Sequence, residues 1–146
     1  MAATLGYQCK LYFDTASYAS PVWSEVTNCR DATLNLEVAD ADVTTRGNNG
    51  WKATIPTLKD ASIDFGMIMD STDTNFTTVR QAFINGTPIY VAAMTGGIAV
   101  TGSEGLWALM MVSKFTRNEQ LTEAVTFDVT LKPTYSPSYP PTWHVI

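Results

Sequence analysis

The sequence predicts a mainly-β domain, a two-sheet β-sandwich with one flanking α-helix, and three observations carry that expectation. Segments 33–38, 61–67 and 124–132 alternate apolar and polar residues at period two, the pattern of half-buried strands. A single stretch, about 74–85, sets Phe76, Val79, Phe83 and Ile84 at helical spacing. Between the alternating segments lies 39–58, which has neither period but carries Trp51, Ile55 and Leu58. At 146 residues the chain is expected to form one domain, and folding at that size buries ~70% of the unfolded surface, enough for a core without staples.

Taken in order, 7–13 alternates up to Leu11 and reads as a first strand. Ser17, Ser20 and Pro21 mark a turn, and Val22, Trp23 and Val26 a short second strand. In 33–38, Leu34, Leu36 and Val38 face one way and Asn35 and Glu37 the other, so one face of that strand is expected to be wet. The inter-strand loop 39–58, with Gly47, Asn48, Asn49 and Gly50 at a flexible tip, is longer than compact domains usually tolerate without a function. Its apolar residues are wrong for a solvated linker, so it is read as an arm that lies on another molecule.

Segment 61–67 directs Ile63, Phe65 and Met67 to the core and Asp64 away from it. The helix is expected to be capped by Asp73 or Thr74 and stopped by Gly86, with its apolar stripe covering the sheet. Pro88 is tolerated at the start of the next strand, 88–95. Four glycines in 96–105 read as a hairpin turn, since no Lys follows Gly105 to make a phosphate loop. The continuous apolar run 106–112 is expected to be covered on both faces or to lie at a subunit contact. In 124–132, Val125, Phe127, Val129 and Leu131 point inward and Thr126, Asp128, Thr130 and Lys132 outward. The domain is thus drawn as 1–132, followed by an extended arm, 133–146, in which four prolines alternate with Tyr135, Tyr139 and Trp143. That arm is expected to dock on a neighbour or to pack back on its own domain.

The residues exclude more chemistry than they offer. A net charge of −5 argues against nucleic-acid affinity, which draws on Lys and Arg to neutralise phosphates. The single His144 sits in a proline-rich tail, a poor position for a general base. Cys9 and Cys29 lack metal-ligand spacing and read first as buried free thiols, with a single disulfide as the second reading, so no metal or other cofactor is expected. Asp64 and Asp128 are two carboxylates without a predicted cleft, too little for a glycosidase. No signal-peptide pattern and no apolar run of membrane length occurs, so no membrane insertion by this chain is expected. With 16% charged residues against a typical ~25%, the surface is expected to meet protein, and no enzyme is predicted. The competing reading is a carbohydrate-binding or adhesion β-sandwich that uses Trp23, Trp51 or Trp107 as a stacking platform.

One ordered set of segments resembles a known family. The strand 33–38, the series Asp40-x-Asp42-x-Thr44-x-Arg46 with Gly50-Trp51, the segment 55–65 (IPTLKDASIDF), the amphipathic helix and the closing Val129-Thr130-Leu131-Lys132-Pro133 are similar to the major tail tube protein of long-tailed bacteriophages, also found in prophages and gene transfer agents. The resemblance covers about 5–135 and leaves out the C-terminal arm. It implies a structural virion protein, made and assembled in the host bacterial cytoplasm, whose hexameric rings stack by self-assembly into a hollow helical tube for genome ejection. It implies that the loop 39–58 reaches the adjacent ring, and that one sheet of each subunit lines the channel. Arg46, Trp51, Ile55 and Leu58 are then the expected inter-subunit and inter-ring contacts, to which Tyr139 and Trp143 of the arm are added on physical grounds alone, and Asn35, Glu37, Asp64 and Asp128 the expected lumen-facing residues. The partners implied are further copies of the chain and other tail proteins (tape measure, terminator and, in contractile tails, a sheath). Double-stranded DNA is implied to pass through the lumen without specific binding.

Overall fold

The computed structural model describes residues 3–146. Eight strands form one antiparallel sheet: β1 (Lys10–Asp14), β2 (Trp23–Glu25), β3 (Cys29–Asp42), β4 (Thr54–Ile68), β5 (Ile89–Met94), β6 (Glu104–Asn118), β7 (Thr126–Pro133) and β8 (Thr142–Val145). Their order is β2-β1-β5-β6-β7-β4-β3, with β8 beside the start of β6. The ladder curls on itself. Phe13 of β1 and Phe65 of β4 stand well apart in that order, yet their rings meet at 6.3 Å. The two layers expected from the sequence are therefore the two halves of one sheet, and the long strand β6 belongs to both: its first half pairs with β5 and β8, its second with β7.

Alternation decides what fills the space between the layers. Ile63, Phe65 and Met67 of β4 and Phe127, Val129 and Leu131 of β7 are buried against Leu11 and Phe13 of β1 and Ile89 and Val91 of β5. Each such side chain contributes about 1.5–3 kcal/mol of transfer free energy. The layer of β1, β5 and β6 is buried on its other face as well, where Tyr12, Ala92 and Met94 lie under Trp23, Ile98, Trp107 and Ile146. That double cover accounts for the apolar run from Leu106 to Met110, whereas Met111, opposite Lys132 on the outer face, is 43% exposed. Gly105 is required where β6 crosses β5, because a Cβ there would stand 1.8 Å from the Ala93 carbonyl oxygen.

The helix α1 (Thr74–Asn85) has the expected bounds. The Asp73 carboxylate accepts from the Asn75 N–H at its start, and Gly86, at φ 67°, gives the left-handed stop. Phe76 packs on Phe127 at 5.0 Å and, with Val79 and Ala82, faces the core. The expected stripe is corrected at its end: Ile84 is 70% exposed, and Phe83, stacked on Phe115, is half exposed. The buried stripe runs Phe76, Val79, Ala82 instead, three residues apart on one face of the helix.

The segment 39–58 is corrected from a loop to a hairpin. β3 and β4 run on in register to Asp42↔Thr54, so only 43–53 lies outside the ladder. Periodicity hid these strands because the ribbon projects beyond the covering layer and neither face selects for apolar residues. A bulge between Val38 and Asp40 also breaks the phase, and Pro56 is accommodated because β4 pairs with β3 alone at that point. The arm 133–146 packs back on its own domain: β8 pairs with β6, and Tyr139 meets Tyr18 at 5.7 Å and Tyr90 at 6.0 Å.

Candidate functional site

Two surfaces of the fold have no structural work to do within one chain. The first is the hairpin tip. Arg46 opens a 3-10 turn, Arg46–Asn48, and Asn49 and Gly50 follow with φ of 55° and 79°, which bends the chain back. Backbone and side-chain bonds fix that bend: Trp51 N–H donates to the Asn48 carbonyl, the Asn48 amide donates to the Trp51 carbonyl at 3.0 Å, and Ala53 N–H donates to the Thr44 hydroxyl at 3.0 Å. The Thr44 hydroxyl and N–H both donate to Asp42, which holds that carboxyl below the usual carboxylate range. The tip is thus rigid, yet Trp51 is 75% exposed at its apex. Ile55 and Leu58 are exposed farther down the ribbon, Leu58 within the bulge. An ordered backbone that displays an unpacked indole is preorganised to bind, because little conformational entropy remains to be lost.

The second surface is the outer face of the β3-β4-β7-β6 half. Directly opposed pairs share a face, so Glu37 and Asp60, Asn35 and Ser62, Thr33 and Asp64, Gly66 and Asp128, and Lys114 and Thr130 form one polar field. All four residues named from the sequence, Asn35, Glu37, Asp64 and Asp128, lie in it. Asp64 accepts from the Asn35 amide at 3.0 Å and the Thr130 hydroxyl at 2.6 Å, and Asp128 accepts from the Asn118 amide at 2.8 Å. Neutral donors hold both carboxylates, and neither forms an ion pair among the described residues. Of the cations on this face, sequence reasoning placed Lys132 and missed Lys114 and Arg30. Lys132 shares it, Lys114 stands opposite Thr130, and Arg30 packs beside Gly66. Lys132 was legible in the alternation of β7; Lys114 was hidden by the bulge that precedes it. Glu37, Asp60, Asp64 and Asp128 therefore face three cations, and the field is mixed with a slight acidic excess rather than uniformly negative.

The remaining sequence candidates divide. Tyr139 is enclosed by Tyr18 and Tyr90, and burial, then the neighbouring Tyr139 and Asp14, raise the pKa of Tyr90. Tyr139 thus anchors the arm. Trp143, on β8, is 46% exposed and borders a cavity of about 890 Å³. Trp23 and Trp107 pack on each other at 5.0 Å, and His144 stacks on Trp107 at 3.9 Å, so neither indole offers a free platform for a sugar and the imidazole is held by an aromatic face. Among the described residues, no three His, Cys, Asp or Glu side chains come together to hold a metal ion, and no helix is long and apolar enough to cross a membrane.

No protein-family model matches this sequence, and no curated protein matches it. Solved structures are similar to it across nearly its whole length. A chain from the virion of a native gene transfer agent particle superposes with a TM-score of 0.73 at 14% identity, covering 98% of this chain and 100% of that one. The SPP1 tail tube gives 0.75 at 10% identity, over 99% of this chain and 80% of that one. A chain of the anti-feeding prophage baseplate gives 0.64 at 8% identity, over 99% and 97%. At such identities the likeness establishes the fold, which is the one found in these tail structures.

Proposed function

We propose that this chain is a structural tail tube protein: it self-assembles into hexameric rings that stack into a hollow tube through which double-stranded DNA passes. The observation that carries the reading is the tail-tube fold bearing a rigid, exposed Trp51 tip, since a lone molecule has no use for such a tip. Arg46, Trp51, Ile55 and Leu58 are the hairpin's contacts to another copy. Trp143 is a contact from the C-terminal strand, and Tyr139 holds that strand in place. The polar face with Asn35, Glu37, Asp64 and Asp128 lines the lumen, where carboxylates held by neutral donors meet phosphate without binding it.

The work is structural rather than catalytic, and the location is the virion tail, assembled in the host cytoplasm. Other tail proteins, a tape measure and a terminator among them, set the ends of the tube. The purified chain, followed by light scattering and negative-stain microscopy through a concentration series, is expected to form rings or tubes above a threshold. A compact monomer at every concentration would remove this reading.

A further inference from the structure

Between the two layers, one part of the core is left open. Leu11 of β1, Leu34 of β3, Ile63 of β4, Ala93 of β5 and Trp143 of β8 border a cavity of about 890 Å³ there. The apolar stripe does not stop at its mouth: Leu36 and Val38, on the same face of β3 as Leu34, are 53% and 52% exposed. Charges ring it. Lys10 is matched to Glu25 at 3.5 Å, which leaves Asp31 and Glu104 against Arg30.

The chain carries one rigid projecting segment of complementary character. The tip 43–53 holds Arg46 and Lys52 and no acidic residue, although the whole chain is at −5, and it displays Trp51. That tip does not reach its own cavity. From the Leu34↔Ile63 pair to the Asp42↔Thr54 pair the ribbon runs eight residues along β3, about 25 Å at ~3.3 Å per residue, and its ladder prevents it from doubling back.

Resting on the self-assembly reading above, we propose that this interlayer cavity, walled on one side by Trp143 of the C-terminal strand, receives the basic Trp51 tip of a second copy. Tip and cavity are different patches, so the contact is heterologous and propagates from copy to copy. The C-terminal arm gains a definite role in this contact, since by pairing with β6 it builds a wall of the receptor. Trp143 is buried only when the second copy is seated.

Two native thiols make the contact testable, because Cys9 and Cys29 both border the cavity. Full-length Lys52→Cys is oxidised with diamide and run on a non-reducing gel. The expected result is a ladder of multimers in which peptide mapping joins position 52 of one copy to Cys9 or Cys29 of the next. The ladder falls to background when Cys9→Ser and Cys29→Ser are added. Separately, Trp143→Ala, checked for folding by circular dichroism, is expected to raise the concentration needed for growth about tenfold or more, as loss of an aromatic anchor does. Rings or tubes that form without that cross-link would overturn the docking site and leave the self-assembly reading standing. A chain that neither links nor assembles sinks both.

Discussion

At the scale of single residues, Cys29 shows how local packing becomes a measurable property. Burial, and after it the carboxylate of Asp31, push its thiol from 9.0 up to about 11. The folded state thus keeps a proton that the unfolded state releases first. This contribution to stability is fully present below about pH 9 and is lost as pH rises toward about 11. Urea midpoints of the wild type are expected to fall across that window more steeply than those of Cys29→Ser; parallel curves would show that the thiol is not linked to folding. The wet residues were legible because alternation in β3, β4 and β7 separates Asn35, Asp64 and Asp128 from Leu34, Ile63 and Val129. Lys114 was not. An extra residue, Ser113, whose hydroxyl donates to the Thr130 carbonyl, sets the core positions Val112 and Phe115 three apart instead of two.

Among the elements, the helix bounds could be read because cap and stop are local signals, whereas the end of its buried stripe and the hairpin could not. Strands are recognised by the face they bury, and the outer parts of β3 and β4 bury none within one chain. β8 was illegible for a related reason, since its four residues owe their conformation to β6 and not to a period of their own. If the tip serves only contact between copies, removing it leaves the rest intact. Replacing 43–53 with Asn-Gly closes the ribbon at the Asp42↔Thr54 pair with a two-residue turn. The variant is expected to keep the wild-type thermal midpoint within about 2 °C, because isolated surface changes shift stability by less than ~0.5 kcal/mol. It is expected to form no tubes. Long tubes in micrographs of this variant would rule the tip out as a contact.

For the whole molecule, the sheet's architecture separates a face that meets solvent from one that meets protein. In the proposed tube the β3-β4-β7-β6 face lines the channel, and its slight acidic excess governs the passage of a polyanion. Asp64→Lys with Asp128→Lys reverses that balance, at the cost of the acceptors for Asn35, Thr130 and Asn118. Particles carrying both changes are expected to assemble and to release DNA several-fold more slowly in a dye-accessibility assay; unchanged release would take these residues off the channel wall. The fold's outer boundary has a consequence of another kind. β3 ends the sheet, so its 14 residues leave one side of their backbone without a strand partner among the described residues. Any extended peptide in a crowded cell could add to such a border. Asp31, Glu37, Asp40 and Asp42 are spaced along it, and its register with β4 shifts after Val38. Charge and interruption of this kind discourage edge pairing, so in the proposed tube the border keeps stray chains off a free copy.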